Sequence, residues 1–192
     1  GAHHDHLGSY GGPGDTIFNG ADDNASGVAT VLELAEYFGE TGAPEGFNLL
    51  FVTFSAEEVG LFGSKAFRRH RWIDLSDIGL MINFDMIGRN PSVPVEVYGA
   101  GTLEASARRI ADLASRMPID VTPVDSETPI MSDHMPFAER GVPYLSFHTG
   151  LHDDYHQVTD HAYRLDHAGM SVIGLFVARL IEELGAHTPA DE

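Results

Sequence analysis

The sequence predicts an α/β domain built on a mostly parallel sheet. Three observations point to it. Short apolar runs rich in β-branched and aromatic residues alternate with segments of helical period. No repeat, low-complexity stretch or linker interrupts that alternation. Clusters of polar residues sit at the ends of the apolar runs, where open parallel sheets carry their functional groups.

The elements follow in order. Residues 1–23 are rich in Gly, His and Asp and read as loop. Over 24–38, Val28, Val31, Leu32, Ala35 and Phe38 recur at helical spacing, and Gly39 and Gly42 end the helix. Residues 47–54 (FNLLFVTF) read as a buried strand. A short helix with a basic end fits 61–71, and 78–84 (IGLMINF) is a second buried strand. Val93, Val95 and Val97 alternate with Pro94, Glu96 and Tyr98, which predicts a half-exposed edge strand. A helix over 103–117 would turn Ala107, Ile110, Ala111 and Ala114 inward. Strands are expected at 119–124 and 143–147. The clearest helix is 167–184, with Met170, Ile173, Val177, Leu180, Ile181 and Leu184 in one stripe.

Composition narrows the function. The 192 residues fit one domain, and 43% hydrophobic content supports a core and excludes wholesale disorder. The formal net charge is −18, so phosphate backbones and anionic membranes would be repelled. Apolar runs such as 172–178 are far shorter than a membrane span. Without Cys there is no disulfide, thiolate ligand or thiol nucleophile. The 11 His among 29 acidic residues are the chemistry on offer, and carboxylate with imidazole suits divalent transition metals.

These residues gather at 3–6 (HHDH), 21–24 (ADDN), 56–58 (AEE), 83–85 (NFD) and 153–160 (DDYHQVTD). Taken alone, each has an ordinary reading. Asp22 and Asp23 suit helix caps, Glu57 and Glu58 a solvated loop, and His156 the surface. On an extended segment His3 and Asp5 face the same way, the pairing of a metal-bound imidazole with its orienting carboxylate. Of two adjacent glutamates, one can bind a metal while its neighbour stays free as a base. Asp85 ends an apolar strand, where an unpaired charge is costly. Together, five such clusters at equivalent positions would repel one another severely without cations. Two divalent ions would resolve this, as in two-metal hydrolases.

The motifs GAHHDHLG, NGADDNASG, SAEEVGLFGS, NFDMIG, SDHMPF and YHQVTD, in that order, resemble the co-catalytic di-zinc aminopeptidase family. That family includes secreted bacterial aminopeptidases, aminopeptidase Y, glutamate carboxypeptidase and, more distantly, glutaminyl cyclase. The resemblance runs from residue 1 to about 185. It implies a three-layer α/β fold of zinc-exopeptidase type, with a mixed, mostly parallel central sheet flanked by helices. It implies a single catalytic domain over 1–192, with the family's first strand or an upstream domain outside this sequence.

The resemblance also implies site roles. His3, Asp85 and Asp23 would hold one Zn2+, and Glu58, His156 and Asp23 the other, with Asp23 bridging. Co2+ or Mn2+ could replace zinc. Glu57 would be the general base, Asp5 would orient His3, and Tyr155 would stabilise the oxyanion. Asp133 and His134 would lie near the substrate pocket. A cis peptide is implied between Asp23 and Asn24. The substrate would be a peptide with a free amino terminus, and the protein would be secreted or periplasmic. Two other readings share the fold: a single-zinc acyltransferase like glutaminyl cyclase, and a non-catalytic receptor-like domain.

Overall fold

In the computed structural model, residues 1–70, 73–89, 91–103, 106–124 and 130–186 are described. The strands are β1 (Ala2–His3), β2 (Thr53–Phe54), β3 (Met81–Phe84), β4 (Val95–Tyr98), β5 (Val121–Val124) and β6 (Tyr144–His148). The helices are α1 (Gly27–Thr41), α2 (Phe62–Arg69), α3 (Ser106–Ala114), α4 (Met135–Ala138) and α5 (His167–Gly185). Arg71, residues 104–105 of the expected third helix, and 187–192 lie outside the described residues.

β1 pairs in parallel with β2, and a second ladder runs β3-β6-β4-β5. Gly1 joins the two. Its nitrogen donates to Ile82 O at 2.6 Å, and its carbonyl accepts from Phe84 N at 2.9 Å. β3 and β6 are parallel, as are β4 and β5, while β4 runs antiparallel to β6. The sheet is therefore mixed and mostly parallel, as expected.

Strand alternation sends side chains to two faces. On one face Phe84, Leu145, Phe147, Val95 and Val97 meet the buried stripes of α1, α3 and α5. On the other Phe54 and Met81 pack with Phe137 and Val142, and Phe67 of α2 closes over them. Helices thus cover both faces, giving three layers. Among the described residues no helix is long and apolar enough to cross a membrane.

Several local expectations need correction. Only Thr53–Phe54 of the 47–54 run pairs as a strand, and Leu50 is 55% exposed. The run is apolar, but β1 meets only its end. Val95–Tyr98 is interior rather than an edge, lying between β6 and β5. The edge is β5, where Pro123, lacking an N–H, is tolerated. Two helical stripes are rotated. In α1, Leu34 is buried and Leu32 is exposed. In α3, Ser106, Ile110 and Leu113 are buried, while Ala107 and Ala111 face solvent. Alanine marks a helical face weakly because it gains little from burial. The α5 stripe is as expected, with Ile173, Val177, Leu180 and Ile181 buried.

Phe147 is the hub of the larger core. It is fully buried, stacks on Phe84 at 5.7 Å and meets Phe176 edge-on at 6.4 Å. Phe147→Ala should cost about 3–5 kcal/mol of unfolding free energy. In a chain of this size that lowers the melting temperature by roughly 10 °C, readable by calorimetry.

Candidate metal centre

Four parallel strands deliver the polar clusters to one end of the sheet. His3 ends β1, the Glu57–Glu58 pair follows β2, Asp85 follows β3, and His156 lies in the segment after β6. Asp23 comes from the irregular turn Ala21–Ser26 that precedes α1, and its peptide bond to Asn24 is cis, as the resemblance implies.

Local bonds explain these placements. Asn24 Nδ2 donates to Phe84 O at 2.8 Å, and its Oδ1 accepts from Gly27 N at 3.1 Å, tying the turn to β3 and starting α1. Asp160 Oδ2 accepts from the amides of Asp22 and Asp23 at 2.8 and 3.1 Å. Gly20 has φ +60, and a Cβ there would come within 2.4 Å of Asp23 O, so only glycine fits. Past β2, Ala56 takes a left-handed φ of 59, and Glu57 O accepts from Gly60 and Leu61 N. This bend turns the glutamates toward β1.

The side chains converge in two groups. His3 Nε2 lies 3.3 Å from Asp23 Oδ1 and 3.7 Å from Asp85 Oδ1. His156 Nε2 lies 3.2 Å from Asp23 Oδ2 and 3.1 Å from Glu58 Oε2. Asp23 therefore turns one oxygen to each group. Donors sharing one tetrahedral ion at about 2.1 Å lie about 3.4 Å apart, close to these separations; the donors near enough to one another to close on one ion are His3, Asp23 and Asp85 in the first group, and Asp23 and Glu58 with His6 in the second. His6 also joins the second group, with Nδ1 2.6 Å from Glu58 Oε1 and 3.8 Å from Asp23 Oδ2.

The electrostatics ask for cations. Burial opposes a charge on His3, yet hydrogen bonds and attraction from Asp23 and Asp85 outweigh it and push the imidazole up to about 12. A proton there does the work that a bound cation would do. Burial raises Asp23, with the Asp85 and Glu58 charges adding and the His3 hydrogen bond opposing. Burial would also raise Asp85, but its bond and attraction to His3 bring it below the usual carboxylate range. Glu57 is pushed up to about 8, first by burial and then by the charges of Asp85, Asp133 and Glu58. It is absent from both donor groups.

The remaining expected residues are placed as follows. The carbonyl of Asp5, rather than its carboxylate, is nearest to His3 Nδ1, at 3.0 against 3.8 Å. The Asp5 carboxylate accepts instead from Glu57 N at 3.1 Å, which couples Glu57 to the His3 segment. Tyr155 stacks on His156 with ring centroids 3.8 Å apart. Burial and the surrounding carboxylates push its phenol up to about 12, so it stays a hydrogen-bond donor at neutral pH. Asp133 and His134 are completely buried and offer no surface to a substrate. Burial raises Asp133 to about 6. His134 stacks on Tyr144 at 4.6 Å.

Sequence reasoning missed four contributors. His6 belongs to the HHDH cluster, but the resemblance assigns it no role. Asp22 caps no helix: its Oδ1 accepts from Gly88 N at 2.6 Å, and its Oδ2 lies 3.0 Å from His152 Nε2. Asp154 gathers Arg89 at 2.8 Å, Arg164 at 2.9 Å and Thr159 at 2.6 Å, bracing the segment that carries His156. For Asp160 a signal existed, since it closes the YHQVTD motif.

Comparison with known proteins places this geometry. The sequence profile of Peptidase family M28 matches residues 1–181. Aminopeptidase YwaD of Bacillus subtilis (strain 168) is 31% identical over 134 residues, covering 67% of this chain and 28% of that protein. The structure of an aminopeptidase from Aneurinibacillus sp. strain AM-1 is 26% identical at a TM-score of 0.70, covering 95% of this chain and 42% of the other. A zinc aminopeptidase from Bacillus subtilis is 24% identical at a TM-score of 0.77, covering 95% and 45%, a likeness of fold. The chain thus spans less than half the length of each of these relatives.

Burial pushes His134 down to about 4 from an ordinary 6.5. The unfolded chain takes up that proton below about 6.5 and the folded chain only below about 4, so folding loses stability as pH falls through this window. The full effect is on the order of 3 kcal/mol. Urea unfolding at pH 7.5 and 4.5 should show the wild type losing more stability than His134→Gln, by about that amount. An equal loss in both proteins would refute the assignment.

Proposed function

This chain belongs to Peptidase family M28, and we propose that residues 1–192 are the catalytic domain of a zinc-dependent aminopeptidase that removes N-terminal residues from peptides. One observation carries the reading. Asp23 presents its two oxygens to two separate donor groups, with Glu57 beside them and in neither. A single-ion acyltransferase would leave the second group of carboxylate and imidazole without a cation.

In this reading His3, Asp23 and Asp85 hold one zinc ion, and Asp23, Glu58 and His156 hold the other. When bound, the pair supplies Lewis acidity toward a water and the scissile carbonyl. The protein's own groups do the rest. Glu57 accepts a proton from the attacking water and returns it to the leaving amine. The Tyr155 phenol, protonated at working pH, donates to the oxygen that becomes negative in the transition state. The acidic chain favours a cationic peptide terminus over an anionic one. The proposal includes the secreted or periplasmic setting that the resemblance implies.

Metal content by mass spectrometry, alongside release of p-nitroaniline from leucine p-nitroanilide, tests the reading. Two zinc ions per chain and chelator-sensitive turnover are expected. One ion without turnover would favour the cyclase-like chemistry, and full metal loading without turnover a receptor-like domain. Glu57→Gln should keep both ions and lose about 10²-fold or more in kcat. Loss of an ion in that variant would mean that Glu57 and Glu58 exchange roles.

A further inference from the structure

His6 has no part in the proposed chemistry, yet its ring is 7% exposed and points at the second donor group. Its Nδ1 lies 2.6 Å from Glu58 Oε1. An ionised carboxylate can only accept, so Nδ1 is the nitrogen that carries the proton. The separation is that of a charge-assisted hydrogen bond. Burial alone would raise Glu58, but this bond, with the attraction of His156, His6 and His3, keeps its carboxyl below the usual range.

His6, Asp23 and Glu58 lie close enough together to hold an ion, but the 2.6 Å between His6 Nδ1 and Glu58 Oε1 is a hydrogen bond rather than the spacing of two donors on one ion. Two donors on one tetrahedral ion stand about 3.4 Å apart. His156 Nε2 meets that expectation, at 3.1 Å from Glu58 Oε2 and 3.2 Å from Asp23 Oδ2. His6 Nδ1 is much too close to Glu58. Glu58 is thus divided between two partners, with Oε1 to His6 and Oε2 toward His156 and Asp23.

The His6 ring has little freedom. A Cβ on Gly20 would come within 2.7 Å of its Cγ, so that glycine is what admits the ring. Phe18 lies alongside at 6.4 Å, and His156 stands edge-on at 5.6 Å. Among the described residues Nε2 has no hydrogen-bond partner, which leaves Nδ1 as the polar end in use.

We propose that His6 is a positioning residue for the second metal site: it holds Glu58 by Oε1 so that Oε2 alone is presented to the ion. One four-residue stretch then serves both sites. His3 donates to the first, and His6 orders a donor of the second. Outer partners of this kind typically change metal affinity by about 10- to 100-fold. The inference rests on the two-ion reading above.

Stepwise zinc binding to the metal-stripped full chain, followed by isothermal titration calorimetry, tests it with two variants. His6→Ala removes the donor. His6→Asn keeps an N–H close to the position of Nδ1, because the asparagine amide nitrogen occupies the same branch of the side chain. His6→Ala should weaken one of the two ions by about 10- to 100-fold and leave the other unchanged, which also shows that the variant is folded. His6→Asn should return the weakened site to within about 3-fold of wild type. Unchanged binding in His6→Ala overturns the proposal. An Asn variant as weak as the Ala variant also overturns it, because a ligand imidazole or a packing ring is not replaced by an amide. If both ions weaken alike in His6→Ala, the residue acts on the fold rather than on Glu58. A wild type that takes up a single ion would instead defeat the two-ion reading itself.

Discussion

Everything at the donor end of this sheet depends on four carboxylates that cannot stay together without positive charge. Asp23, Glu57, Glu58 and Asp85 converge where four parallel strands end. Asp23 and Asp85 are nearly inaccessible to water. Removing such charges from solvent is expensive, and mutual repulsion adds to the cost. The imidazole of His3 offsets part of it by standing between the oxygens of Asp23 and Asp85. A pair of divalent cations would offset the remainder. The same carboxylates, Asp23 and Asp85, raise the proton affinity of His3 against its burial.

The rest of the fold can be understood as what holds those charges in place. Asp160 grips the two amides beside Asp23, and Asn24 ties the same turn to the end of β3. Arg89 joins this region to the His156 segment through Asp154. Below, the Phe84, Phe147 and Phe176 contacts make the sheet and α5 one packed body. The donors thus stand on strand ends backed by a close-packed core, and such support keeps a catalytic constellation in register.

Much of this was legible in the sequence. Asp85 announces itself as a charge ending an apolar run, and the alternation of strand and helix patterns sets the fold class. The α5 stripe needed no correction. Where residues were small or neighbours distant, the pattern misled. Leu32 and Leu34 are both apolar, and only the packing of α1 against β3 and α5 buries the second. Val95–Tyr98 alternates like an edge strand but is interior, because β5 pairs on its far side. Periodicity reports how an element meets a core, not which strand lies beside it.

By itself the sequence determined the donor chemistry. It has no thiols, many imidazoles and carboxylates, and motifs whose order resembles one hydrolase family. The motif resemblance singles out Asp23 over Asp22, but residue type alone gives no reason, since both are aspartates ahead of a helix. Tertiary structure supplied the difference. Asp22 turns to Gly88 and His152, while Asp23 turns one oxygen to each donor group. It also brought His6 onto Glu58, a residue 52 positions away. Such pairings depend on the closure of the whole sheet, where each strand's burial sets the position of the next. No local stretch of sequence contains that information.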